Sequence, residues 1–493
     1  MPGTASTVIS RRRRVAAKAV AASLSVMVLA ACSSGSGGTS SSSAGGNGAS
    51  GDLKIGAIYP QTGSLALLGP AAIAGAKLAT ADINAAKPTF KTSLTVKDSG
   101  DTTTDIASSS AKSLLASGTS AILAPESSAV VKTVFSQITN AKVPFITPAA
   151  TDPGMTNPNK SNGMFFRTVP SDLLQGQALA QKIVSDGKKN VAILYMNEAY
   201  GTGLNNQIVN TLKANNVKVG ADVSFTPNST NFNAEVGKVL AAKPDALVVI
   251  SFDEIKSISA ALQQNKFDFK NFYGTDGNNG ILGKGDPDIT GAQFSTPGVN
   301  PASGLKDKLN TENGKPLNSF SYAAESYDAT ILIALAAAEG KSTAPQTIAD
   351  NLIKVSDGGT KCTTFKACYD LIQKGTDIDY DGQSGPIAWN KAGDVTKASI
   401  SFYKTVGPNN KTDWLSLHTS SLLSTWWADA QDIRTGPVLS NRALPRSFWP
   451  GRLPGGYAVR RIRSAGDRSP RRVRRPSRQR TADRRDAAPT DCA

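Results

Sequence analysis

Residues 190–225 read NVAILYMNEAYGTGLNNQIVNTLKANNVKVGADVSF. The run 190–195 is short, apolar and β-rich, as a strand covered on both faces must be. A polar loop holding Gly201-Thr202-Gly203 follows, and residues 203–215 then carry apolar side chains at helical spacing. Residues 217–225 return to a β-rich run. Strand, helix and strand in immediate succession form a crossover unit, and such units build parallel sheets covered by helices. Gly201 and Gly203 lack the third glycine of a dinucleotide fingerprint and are read as the start of the helix.

The same alternation extends in both directions. Strand-like runs occur at 53–59, 93–97, 120–124, 143–147, 246–251 and 271–274. Helical spacing fills 70–86, 105–117, 128–141, 173–186, 232–242 and 254–265, and 319–340 reads as a long Ala-rich helix. The class is therefore α/β with parallel sheets. Residues 51–414 exceed what one hydrophobic core usually serves, so two Rossmann-like lobes are expected. In open sheets of this kind ligands bind beyond the carboxyl ends of the strands, so the loops after each strand are the place to look for chemistry.

The two ends differ from this middle. Arg11 to Arg14 form a basic block, Ala19 to Ala31 is a largely apolar run, and Leu29-Ala30-Ala31-Cys32 leads into Ser and Gly. Basic, apolar and small-residue regions in that order describe a secretory signal, and the run falls short of the ~20 residues a membrane-spanning helix needs. A Cys directly after Leu-Ala-Ala resembles the bacterial lipoprotein signal. The resemblance implies that 1–31 is a cleaved lipoprotein signal peptide and that Cys32 carries lipid; an ordinary signal with an incidental Cys is the alternative. The arginines leave the general and twin-arginine export routes both open. Residues 33–51 hold 8 Ser and 7 Gly, so 32–51 reads as a lipidated Cys with a flexible tether. The folded part is expected outside the cytoplasm, anchored at the outer face of the bacterial cytoplasmic membrane.

The formal charge of +16 divides unevenly. Residues 1–50 carry +5. Residues 51–414 carry +1, with 32 Lys against 1 Arg, and residues 415–493 carry +10, with 16 Arg and no Lys. Basicity confined to the ends gives no reason to expect a nucleic-acid partner. Residues 459–485 show no apolar periodicity, and the tail 415–493 reads either as a disordered Arg-rich arm or as an out-of-frame translation of GC-rich DNA.

Much chemistry is missing from the middle. The only histidine is His418, so 51–414 offers neither a Ser-His-Asp triad nor a His-bearing zinc site. There is no Walker A loop, and no metal or cofactor is expected. Asp377, Asp379 and Asp381 could serve a carboxylate-only hydrolase or simply form a solvated turn, and they lack the spacing of a calcium loop. Cys362 and Cys368 in an exported domain read as a structural disulfide.

Six segments in order resemble one family. They are Tyr59-Pro60-Gln61-Thr62-Gly63, Thr147-Pro148-Ala149-Ala150-Thr151-Asp152-Pro153, Phe166-Arg167-Thr168-Val169-Pro170, Tyr200-Gly201-Thr202-Gly203, Tyr273-Gly274-Thr275-Asp276-Gly277, and Tyr380-Asp381-Gly382-Gln383-Ser384-Gly385-Pro386-Ile387. Together they resemble the branched-chain amino acid binding proteins of ABC transporters, of the type I periplasmic binding fold, over about 52–414. The resemblance implies two lobes joined by a three-segment hinge: 52–169 with 297–385, and 170–296 with 386–414. It implies that Ser128, Ala149 and Thr151 hold a ligand carboxylate, and that Tyr200 and Asp276 hold its ammonium. A second aromatic falls on Phe252, where a Tyr is more usual. Leu68 replaces an aromatic, and Glu126 stands where an apolar residue is common. These departures argue against a purely branched-chain ligand.

Elementary chemistry runs the same way. Arg is the usual clamp for a carboxylate, and the middle has only Arg167, read as a structural ion pair. Backbone N–H groups and hydroxyls at a helix start can do the work instead. Each carried-over residue also has a plainer reading: Ser128 as a helix cap, Thr151 and Asp276 as turn residues, Tyr200 as packing, Glu126 as a solvent-facing acid. The expected function is a monomeric, lipid-anchored binding protein. It would close on an amino acid or similar small amphipathic solute and pass it to the permease subunits of an ABC importer, without catalysis. The alternatives are a ligand-sensing module of the same fold or, less readily, an exported hydrolase.

Overall fold

The computed structural model describes residues 51–421. The expected signal peptide, the lipid on Cys32, nearly all of the tether and the chain after 421 lie outside the described residues.

The first half of the described chain runs β1 (Leu53–Tyr59), α1 (Gly69–Ala85), β2 (Thr92–Asp98), α2 (Ile106–Ala116), β3 (Ala121–Leu123), α3 (Ser128–Asn140), β4 (Phe145–Thr147), α4 (Pro158–Ser161), β5 (Phe165–Arg167), α5 (Asp172–Ser185), β6 (Asn190–Met196), α6 (Ala199–Ala214), β7 (Lys218–Phe225) and α7 (Asn233–Ala241). The second half runs β8 (Ala246–Ile250), α8 (Ile255–Gln264), β9 (Phe272–Gly274), β10 (Gln293–Pro297), α9 (Ser303–Asn313), α10 (Ala323–Glu339), α11 (Pro345–Leu352), β11 (Thr360–Cys362), α12 (Phe365–Gln373), β12 (Ile378–Tyr380), β13 (Lys397–Val406) and β14 (Lys411–Ser421).

Two sheets result. The first has the order β2-β1-β3-β4-β5 and is wholly parallel. The second has the order β14-β13-β10-β9-β8-β6-β7. It is parallel from β7 to β10, with β13 and β14 added antiparallel at its edge. Strands covered on both faces must be apolar throughout, and β8 is buried along its whole length. Helix α10 is buried on all sides apart from Glu339. Its small side chains let α1 approach so closely that a Cβ on Gly75 would stand 2.1 Å from the Ala323 carbonyl oxygen.

Two boundaries differ from expectation. The third passage between lobes was expected at 385/386, but Ile387, Trp389 and Val395 join the first lobe's core. Trp389 is buried there and its Nε1 donates to the Arg167 carbonyl at 2.7 Å, so the chain leaves this lobe only after Val395. The expected start of the tail at 415 falls inside β14, which pairs with β13 from Lys411 to Ser421. Residues 415–421 contain no Arg or Lys, and Leu415 and Leu417 alternate with polar neighbours. They resemble a strand in themselves, and only grouping them with the Arg-rich sequence hid this.

Candidate functional site

The loops at the carboxyl ends of β1, β3 and β4 face those after β6, β8 and β9 across a cleft. The cavity between them brings together all six residues expected from the sequence: Ser128, Ala149, Thr151, Tyr200, Phe252 and Asp276. Leu68 and Glu126 line it as well. Its volume is about 20 Å³, room for about one water, so a solute of amino-acid size enters only as the lobes part. A wider cleft of about 370 Å³ opens on the other side of Tyr322, bounded by Glu325, Lys306 and Trp414, and none of the expected residues faces it.

On the first lobe the helix cap is Ser127, whose Oγ accepts from Val130 N. Ser128 is thus not the cap. Its Oγ accepts instead from the backbone N–H groups of Thr151 and Asp152, each at 3.2 Å, which ties the start of α3 to the loop after β4. Thr147 Oγ1 accepts from Ala150 N at 2.9 Å and fixes the same loop from within. Arg167 holds it from behind. This side chain is fully buried, pairs with buried Asp394, and donates to the carbonyls of Thr151 and Asp152 at 3.0 and 3.2 Å. Its role is structural, and it does not reach the cavity.

On the second lobe Asp276 follows β9. Its Oδ1 accepts from Gln175 Nε2 at 2.5 Å and from the Tyr200 hydroxyl at 2.9 Å. Its Oδ2 accepts from the Tyr322 hydroxyl. Burial pushes this carboxyl above its ordinary range, and the hydrogen bonds from Tyr322, Gln175 and Tyr200 oppose that push. Donors from the protein thus share both oxygens, and the carboxyl still lines the cavity. Tyr200 stacks on Phe252 with ring centroids 5.6 Å apart and planes 10° from parallel. Helix α6 begins at Ala199, four residues before the expected start, with Glu198 as its cap. Gly201 is required there because a Cβ would lie 2.0 Å from the Met196 carbonyl oxygen.

Sequence reasoning missed Tyr322, Gln175 and Asp172. Tyr322 was read as part of a helix over 319–340. It stands instead just before α10 with φ +64°, a left-handed conformation uncommon for a bulky residue, and this turns its ring toward Asp276. Buried Asp172 lies behind the site. Burial first, and then the charge of Asp276, raises its carboxyl well above the usual range. Neither of its oxygens has a hydrogen bond of ordinary geometry, although the Thr151 hydroxyl is near enough to ease the charge.

The other acidic group suggested by the sequence is structural. Lys361 bridges Asp379 and Asp381 at 2.7 and 2.9 Å. The adjoining Gln383-Ser384 turn donates to buried Asp328 through both backbone N–H groups and the Ser384 hydroxyl. Cys362 and Cys368 are paired, with Cα atoms 5.4 Å apart. Among the described residues no cluster of three His, Cys, Asp or Glu could hold a metal ion, and no helix is long and apolar enough to cross a membrane.

Comparison with known proteins bears on the fold and the family. The family described as "Periplasmic binding protein" matches residues 52–384. The Leu/Ile/Val-binding protein BraC3 of Rhizobium johnstonii is 28% identical over 203 residues, 40% of this chain and 54% of that protein. The chain spans about half or less of the length of the curated relatives it matches. Among solved structures, the branched-chain amino acid transporter substrate binding protein LivJ of Streptococcus pneumoniae, in complex with isoleucine, shares the fold with a TM-score of 0.60 and 23% identity. The match covers 75% of this chain and 100% of that one. An ABC transporter solute binding protein from R. palustris, in complex with 4-hydroxybenzoate, gives a TM-score of 0.61 at 17% identity, covering 76% and 99% of the two chains.

Proposed function

The chain belongs to the periplasmic binding protein family, and on that footing we propose that it captures an α-amino acid between its lobes and delivers it to the permease subunits of an ABC importer. The observation that carries this reading is the division of polar groups across the cavity. One wall offers Ser128, Thr151 and the start of α3; the other offers the buried carboxyl of Asp276. A zwitterion fits that division. Its carboxylate would meet hydroxyls and helix N–H groups, as anions do at helix starts, and its ammonium would meet Asp276. No Lys or Arg lines the cavity, so a solute carrying only a carboxylate would leave Asp276 without a counter-charge.

In this reading the protein acts as a monomer and performs no catalysis. Residues 1–31 direct export, lipid on Cys32 anchors the chain at the outer face of the cytoplasmic membrane, and Cys362 and Cys368 are joined as a disulfide in that oxidising compartment. The direct test is a thermal-shift screen of the purified protein against the proteinogenic amino acids, with amines and monocarboxylates as controls. A solute present at 100 times its dissociation constant adds about 2.7 kcal/mol. Stabilisation by monocarboxylates alone would overturn the amino-acid reading.

A further inference from the structure

Glu126 is unlike the rest of the cavity. It follows β3, is 4% exposed, and lines the cavity on the first lobe, across from Asp276. Neither of its oxygens has a hydrogen-bond partner among the described residues. The nearby Tyr59 hydroxyl cannot serve it. Ser326 Oγ donates to the Ala72 carbonyl at 2.8 Å, so the Tyr59 proton goes to Ser326, 2.7 Å away. Leu65, Leu68 and Phe252 beside it offer no donor, and none of the hydroxyls that line the cavity, those of Ser128, Thr151, Tyr200 and Tyr322, makes a hydrogen bond to it. A buried carboxyl left without a partner is costly, and native structures seldom keep one that nothing satisfies. Burial alone holds this group up at about 8, and a cation or N–H group beside it would relieve that.

We propose that Glu126 is a specificity residue, and that the solute is an amino acid whose side chain carries a hydrogen-bond-donating nitrogen, an ammonium or an amide, which Glu126 accepts. This deepens the amino-acid reading above and rests on it. The α-ammonium occupies Asp276, so a carboxyl on the facing wall requires a second donor on the same solute. An aliphatic side chain would leave Glu126 buried and unsatisfied in the closed protein, which works against leucine or norvaline.

Two nearly isosteric pairs test this by titration calorimetry on the full-length protein: 2,4-diaminobutyrate against norvaline, and asparagine against leucine. At least one nitrogen-bearing member should bind about tenfold or more tighter than its aliphatic partner, and which pair responds distinguishes ammonium from amide. Glu126→Leu should abolish or invert the preference. Glu126→Gln, which keeps the shape, should weaken 2,4-diaminobutyrate while leaving norvaline nearly unchanged, and it covers the case in which the Leu variant fails to fold. Equal binding within both pairs, or a preference that survives both substitutions, overturns the inference while leaving the amino-acid reading standing. Tighter binding of aspartate than asparagine also overturns it, since Glu126 would then be donating. If no proteinogenic amino acid binds, nor any of these four, the amino-acid reading fails and the inference falls with it.

Discussion

Asp276 gathers donors from Gln175, Tyr200 and Tyr322 and still lines the cavity. Removing it would strand a bound ammonium in a buried site, a loss of about 2–5 kcal/mol. Asp276→Ala should therefore weaken amino-acid binding roughly 30-fold to several thousand-fold. Ser128→Ala should cost less, about 1–3 kcal/mol. Calorimetric titration of folded variants measures both, and an unchanged affinity in Asp276→Ala would remove the ammonium from this wall. Glu126 gives a second prediction, concerning stability. Its carboxyl rises from an ordinary 4.5 to about 8 on folding. Between those values the folded protein holds a proton that the unfolded chain has released, so stability falls as pH rises through this window and levels off above it. Glu126→Gln should match the native protein near pH 5 and exceed it by ~2–4 kcal/mol near pH 8. Glu325, raised in the same way, is present in both proteins and cancels. Urea unfolding at the two pH values tests this; parallel curves would show that Glu126 is solvated or partnered.

At the scale of elements, the loop after β4 is held from behind by one buried ion pair, Arg167 with Asp394. Asp394→Asn should leave the Arg167 guanidinium uncompensated and lower stability by about 3–5 kcal/mol, measured by denaturant unfolding, with solute affinity falling because Thr151 loses its support. The Cys362–Cys368 pair can be tested without denaturation. Trypsin cuts after Lys366, so an unreduced digest should keep the two cysteine peptides linked, and separately alkylated peptides would contradict the disulfide. Apolar strands such as β8, and β6 beyond Asn190, were legible because burial on both faces leaves no charged interruptions. Strand β5, whose Phe165-Phe166 is followed at once by Arg167, and the alternating β13 and β14 were not, since such runs carry little continuous apolar signal. The six residues that line the cavity were legible because each follows a strand, and Ala149, Thr151, Tyr200 and Asp276 also lie in recognisable segments. Tyr322 was not, because a positive φ on a tyrosine leaves no trace in sequence.

At the scale of the molecule, the two sheets meet across the cleft through side chains that belong to opposite lobes. Tyr322 precedes α10 on the first lobe, and its hydroxyl reaches Asp276 on the second. The protein makes this bond itself, so part of the free energy of closing is built in, whatever the solute. If a fraction of the unliganded molecules is already shut, apparent Kd is the intrinsic value divided by that fraction. Tyr322→Phe would cut that fraction, and with it the affinity, by about 1–3 kcal/mol, roughly 5- to 150-fold. The loss should be the same for every amino acid tested, strong or weak, whereas a change at Glu126 should reorder them. Tyr322 thus acts as a gain control on capture, setting how strongly all solutes are held without deciding which one is chosen.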